Sequence, residues 1–218
     1  MQEHRLAVTR RARYFTLGAT NPVEQVWFAC HGYGQLAARF LEKLRALEDG
    51  HRYVVAPEGL SRFYLSERPE ERRVGASWMT REDRLAEIED YVPYLDAVYA
   101  DVFGRIDRAH VRVYALGFSQ GAATVSRWAA LGTPRIDRLV LWGGDFPPDL
   151  ELTQPAVADR LRAARLTLVY GRSDMFITPK VVAAITGRFE THGVPYTTIP
   201  FEGGHALDDA VLMTIAGT

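Results

Sequence analysis

The sequence predicts an α/β fold: one mostly parallel β-sheet covered by helices on both faces. Three observations carry this. Short apolar runs alternate with segments of helical spacing along most of the chain, the element order that a parallel sheet requires. The runs are apolar throughout, as in Val26-Trp27-Phe28-Ala29-Cys30, which suits strands buried on both faces. The chain has 218 residues, 47% hydrophobic and 24% charged, enough for one domain with a sizeable core. Residues 1–218 are read as one domain, with no repeat, low-complexity tract or linker.

Two short β-like stretches open the chain, Leu6-Ala7-Val8 and Tyr14 to Leu17. Val26 to Cys30 is the first buried strand. Leu36, Phe40, Leu44 and Leu47 then recur at helical spacing, and Tyr53 to Ala56 is the next strand. Residues 60–80 show no period and are read as a long loop. Loops of this length in compact domains are usually functional or disordered. A helix is expected from Arg81 to Phe103, opened by a Thr80/Asp83 capping box and kinked at Pro93. The remainder alternates: strand 111–116, helix 120–131, strand 138–142, helix 156–164, strand 166–170, helix 179–190, strand 196–201 and helix 206–216.

Formal net charge is −1 with no basic block, so neither nucleic acid nor an anionic membrane is expected as a partner. No run approaches the ~20 apolar residues of a membrane span. The charged N-terminus, MQEHRLAVTRRAR, lacks the apolar stretch of a signal peptide, and a cytoplasmic location is expected. The single cysteine, Cys30, reads as a small buried core residue. Neither a phosphate-binding glycine loop nor metal-ligand spacing occurs, so no cofactor or metal is expected.

The stretch "GFSQGAA", residues 117–123, places a serine between glycines at −2 and +2, with a strand before it and a helix after it. A sharp strand-to-helix turn strains its central residue and brings neighbouring backbone close. Glycine is therefore needed on both sides, and the serine hydroxyl is left exposed above a helix N-terminus. Ser119 is the candidate nucleophile; the alternative is a plain helix cap. A hydroxyl needs a neighbouring base. Sites in such sheets lie at the carboxyl ends of the strands. Of six histidines, His205 in "GGHAL" directly follows the last strand, and it is the candidate base. Two aspartates could orient the imidazole: Asp174 after strand 166–170, and Asp145 after strand 138–142. Asp174 gives the chain order serine, aspartate, histidine that these sheets use and is preferred. The backbone N–H groups of Gln120 and of Tyr33, in the glycine-rich "HGYG" turn, are nominated as oxyanion donors. "HGYG" could also be an ordinary strand-to-helix turn.

With "HGYG", "GFSQGAA", "GRSD" followed by Pro179, and "GGHAL" in place, the chain from about Val26 onward resembles an α/β-hydrolase. It most resembles the phospholipase/carboxylesterase family, the small cap-less branch that includes acyl-protein thioesterases. The resemblance implies an α/β-hydrolase fold without a separate cap domain. It also implies a serine carboxylic-ester hydrolase working through an acyl-enzyme, with Ser119, Asp174 and His205 as catalytic residues and Tyr33 and Gln120 as oxyanion donors. A thioesterase or lysophospholipase of the same family is the alternative, and a non-catalytic ligand-binding homologue the rival from another class. Where the family usually has an acidic residue after its HGxG motif, this chain has Gln35. A small-molecule ester is the expected partner, with a monomer or a homodimer both open. Phe63, Tyr64, Trp78 and Met79 are the candidate substrate-binding side chains, in a 60–80 segment that either covers the site or is a solvated excursion.

Overall fold

The structure, a computed structural model, describes every residue except Pro69, Glu71 and Thr218. Pro69 and Glu71, within the expected 60–80 loop, and Thr218, at the end of the expected domain, therefore lie outside the described residues.

A seven-stranded sheet forms the centre. Its strands are β1 (Tyr14–Leu17), β2 (Gln25–Cys30), β3 (Arg52–Pro57), β6 (Arg112–Phe118), β7 (Arg138–Trp142), β8 (Arg165–Gly171) and β9 (Tyr196–Phe201). They lie in the order β1-β3-β2-β6-β7-β8-β9, and only the edge strand β1 runs antiparallel. Neighbouring side chains along β2 separate onto the two faces, as a period of two requires. Val26, Phe28 and Cys30 face one core layer with α2 (Arg84–Phe103), α3 (Gln120–Leu131), α4 (Pro155–Ala163) and α5 (Pro179–Thr191). Trp27 and Ala29 face the other, with α1 (Ala37–Glu42) and α6 (Asp209–Ala216). The expected sheet covered on both faces is what forms. The chain lays down β2 and β3 on one side and then crosses to β6, so β2 and β6 are paired neighbours whose following connections, through α1 to β3 and through α3 to β7, leave in opposite directions. That reversal of direction opens a crevice, the usual place for a ligand in such sheets.

Four expectations need correction. Leu6-Ala7-Val8 is not a strand; residues 1–13 carry no regular structure and are exposed. The helix expected through Leu36–Leu47 is two pieces, α1 and a 3₁₀ turn at Arg45–Leu47. Phe40, Leu44 and Leu47 are still buried, so the spacing reported burial, and a single continuous helix was not needed to achieve it. The Thr80/Asp83 capping box does not form. Asp83 opens α2 with a left-handed φ of 46° and no side-chain cap, while Thr80 donates its backbone N–H and its hydroxyl to Glu87. The 60–80 segment is not a structureless loop. It folds as a hairpin of β4 (Ser61–Tyr64) and β5 (Val74–Ser77).

Cys30 is fully buried, and burial pushes its thiol pKa up. The thiolate is the reactive form, so the native protein is expected to resist iodoacetamide and to take up one carboxamidomethyl group only when unfolded. Intact-mass measurement checks this; rapid labelling of the native protein would contradict the packing around β2.

Candidate active site

Ser119 is the N-cap of α3, one residue beyond β6, with φ 55° and ψ −118°. A non-glycine residue in this region is strained by about 1–3 kcal/mol and persists only where its surroundings hold it. They do so here. The ladder between β6 and β7 continues past the strand end, and the Ser119 N–H donates to the Trp142 carbonyl at 2.9 Å. The flanking glycines answer to contacts with backbone. A Cβ on Gly117 would lie 2.1 Å from the Gly121 carbonyl oxygen, and one on Gly121 would lie 2.1 Å from that of Cys30. The turn is therefore closed by α3 pressing directly on the ends of β6 and β2.

His205 follows β9, and its Nδ1 lies 2.8 Å from Asp174 Oδ2. The other carboxylate oxygen of Asp174 accepts the backbone N–H groups of Phe176 at 2.8 Å and Ile177 at 3.2 Å. Burial pushes the Asp174 carboxyl pKa up, but the hydrogen bonds from His205 and from these two amides outweigh it and hold the pKa below its ordinary value. The imidazole lies between two aromatic rings, Phe118 at 4.9 Å and Phe176 at 4.8 Å between centroids. Asp145, the alternative partner, is exposed and does not reach His205. Ser119 and the Asp174–His205 pair share the carboxyl edge of the sheet, and Gly143 and Gly144 fill the space between them. A Cβ on Gly143 would lie 3.3 Å from His205 Nδ1, and one on Gly144 would lie 2.3 Å from the Ser119 carbonyl oxygen. Among the described residues, Ser119 Oγ and His205 make no hydrogen bond to each other. In unliganded sites such contacts are often long and tighten with substrate.

The "HGYG" turn is rigidly built. His31 is buried; its Nε2 accepts the Gly59 N–H at 2.9 Å, so its Nδ1 carries the proton and donates to the Gly32 carbonyl at 2.8 Å. Burial lowers the pKa of His31 and keeps it neutral. Gln35, at the position where an acidic residue was expected, accepts the Gly32 N–H at 2.9 Å. A neutral amide oxygen suffices for that. No acceptor takes the Tyr33 N–H among the described residues, and Tyr33 itself is 59% exposed.

The hairpin β4–β5 docks on this turn. Gly34 donates to the Ala76 carbonyl at 2.9 Å, and Ala76 donates to the Gln35 carbonyl at 3.1 Å. The Gln120 side chain clamps the end of β5: its Oε1 accepts the Trp78 N–H at 3.0 Å, and its Nε2 donates to the Met79 carbonyl at 2.7 Å. This separates the four side chains expected beside Ser119. Met79 lines the groove that opens on Ser119. Trp78 does not; it is 2% exposed, donates its indole N–H to the His31 carbonyl and packs on Tyr91. Phe63 packs on the Tyr33 ring at 5.2 Å, and Tyr64 points to solvent under Arg72.

The groove itself has a volume of about 420 Å³. Most of its walls were missed by sequence reasoning: Ala123 and Arg127 from α3, Gly143 and Gly144 after β7, Phe176 and Ile177 after Asp174, Val181 of α5 and Arg84 of α2; Asp145, named as an alternative acid, lines it too. One part was within reach. Ala123 and Arg127 follow Ser119 at +4 and +8, the same face of a helix.

A largely parallel sheet with this switch point, a serine elbow at its carboxyl edge and an Asp–His pair after its last strands defines the α/β-hydrolase fold. The serine hydrolase (FSH1) family model matches residues 27–208, and the chain belongs to that family. Among solved structures, it is similar to acyl-protein thioesterase 2 of Zea mays, with 16% identity, TM-score 0.70, and coverage of 95% of this chain and 99% of that one. It is also similar to a carboxylesterase from Mesorhizobium loti, with 22% identity, TM-score 0.69 and 95% of each chain covered. Esterase PE8 matches with 19% identity, TM-score 0.65, and 95% and 97% coverage. Among curated proteins none matches by sequence. No helix of the described residues is long and apolar enough to cross a membrane.

Proposed function

We propose that this serine hydrolase cleaves carboxylic esters through an acyl-enzyme. In this reading Ser119 Oγ attacks the ester carbonyl while His205 Nε2 takes its proton. The carbonyl π electrons move onto oxygen, and the backbone N–H groups of Tyr33 and Gln120 receive that oxyanion. Collapse expels the alcohol, which takes the proton back from His205. A water, deprotonated by His205, then repeats the attack on the acyl-enzyme and frees the acid and Ser119. Asp174 keeps the Nδ1 proton in place and stabilises the imidazolium. The observation that carries the reading is the 2.8 Å contact between Asp174 and His205 Nδ1. It fixes the tautomer that leaves Nε2 free to act as base. The family membership and the esterase and thioesterase neighbours support an acyl substrate; a thioester would pass through the same steps.

A fluorophosphonate probe tests the nucleophile. Wild type is expected to gain one adduct, located on the peptide containing Ser119, and Ser119→Ala is expected to gain none. Equal labelling of the two proteins would remove Ser119 from the mechanism.

A further inference from the structure

The groove beside Ser119 is apolar along its walls but charged at both ends. We propose that it selects acyl groups whose far end carries a carboxylate, and that Arg84 recognises that carboxylate. This rests on the hydrolase reading above.

Arg127 marks the far end. It lies two turns beyond Ser119 on the same face of α3, about 12 Å along the helix axis. It is 1% exposed and already committed. Its Nε and Nη2 donate to the two oxygens of Asp149 at 2.8 and 2.6 Å, and its Nη1 donates to the Tyr91 hydroxyl at 3.3 Å. Arg84 also donates to Asp149, through Nη1 at 3.2 Å. Two guanidiniums thus share one carboxylate, leaving one positive charge in excess. That excess is available on Arg84, whose side chain is 38% exposed. Its Nε and Nη2 have no partner among the described residues, and they can form the two-pronged contact that guanidinium makes with carboxylate.

The opposite charge stands at the other end. Asp145 directly follows Gly144, which packs against the Ser119 backbone. Asp145 lines the groove and makes no hydrogen bond or ion pair among the described residues. The groove is also lined by Met79, Ala123, Ile177 and Val181, with the Met79 sulfur 3.6 Å from Arg127 Nη1. The charges therefore order a substrate. A carboxylate near the scissile carbonyl meets Asp145 and is repelled, and one at the end of a chain of several methylenes meets Arg84. A plain alkyl tail of the same length would strip water from Arg84 and Asp149 without replacing its hydrogen bonds, which is unfavourable.

The test compares p-nitrophenyl octanoate with mono-p-nitrophenyl suberate, the same chain with a terminal carboxylate. Wild type is expected to favour the suberate in kcat/KM by about tenfold, the worth of one charge-assisted contact. The ratio should collapse towards one in Arg84→Ala, recover in part in Arg84→Lys and fall below one in Arg84→Glu. A wild-type ratio of one or less, or the same ratio in wild type and Arg84→Ala, overturns the proposal. Binding gives a readout that does not depend on turnover. Calorimetry with suberic acid monoamide and with octanamide should show tighter binding of the monoamide that depends on Arg84; equal binding overturns the proposal. If neither ester is cleaved and the fluorophosphonate leaves Ser119 unlabelled, the hydrolase reading falls, and the amide pair still decides the chemistry of the groove.

Discussion

Asp174→Asn is expected to lower kcat/KM on a p-nitrophenyl ester by about 10⁴-fold while leaving the fold in place. The reason lies in how the carboxylate is shared. One oxygen accepts the Phe176 and Ile177 N–H groups and must remain an acceptor. An asparagine therefore turns its carbonyl to those amides and its NH₂ to His205. The imidazole Nδ1, 2.8 Å away in the wild type, must then accept that N–H, so the ring proton moves to Nε2. A protonated Nε2 cannot take a proton from Ser119. The exchange is nearly isosteric, and the hydrogen-bond count is kept. Thermal unfolding should shift by only a few degrees, which separates loss of chemistry from loss of structure. A variant within tenfold of wild type would dismiss Asp174 as the orienting group and reopen the place of Asp145.

Gly121→Ala is expected to destabilise the protein by about 3 kcal/mol or more, with a fall in Tm of roughly 6–12 °C for a chain of this size. The added Cβ would sit 2.1 Å from the Cys30 carbonyl oxygen and 2.8 Å from that of His31. Both are backbone atoms at the end of a central strand, and neither can swing away as a side chain could. α3 would have to lift off β2, and Ser119 moves with its first turn. Activity should therefore fall further than stability alone explains. Gly187→Ala in α5 is the control. Nothing lies within 4 Å of a Cβ there, and alanine favours helix over glycine by about 1 kcal/mol. It should be neutral or slightly stabilising. Scanning calorimetry of the two variants checks the contrast; equal effects would mean that the tight turn around Ser119 is not what demands glycine.

Much of this architecture is legible in the residues because it depends on local rules. β7 and β9 run over Arg138–Trp142 and Tyr196–Phe201, the spans of two uninterrupted runs between turn residues. α3 begins at Gln120, where the glycine spacing requires the turn to finish. The hairpin β4–β5 is not legible. Its strands are four residues long, and β4 is no more than half-buried. What holds it is remote in the chain: the Gly32–Gln35 turn and the Gln120 side chain. The same distance hides the fate of Trp78. An aromatic in an aperiodic segment reads as pocket lining, but its indole N–H finds the His31 carbonyl and the ring is buried there.

Taken alone, the sequence determined the layered sheet, its direction and the need for glycine on either side of Ser119. Apolar runs and turn chemistry act over a few residues, so what they favour can be read within each segment. Only the tertiary structure decided that His205 meets Asp174 and not Asp145, that the 60–80 segment braces the "HGYG" turn, and that Arg84, Arg127 and Asp149 close the end of the groove. Those outcomes depend on distances between segments up to 65 residues apart. They are set by how the helices and loops pack across the sheet edge, to which no single stretch of chain carries the key.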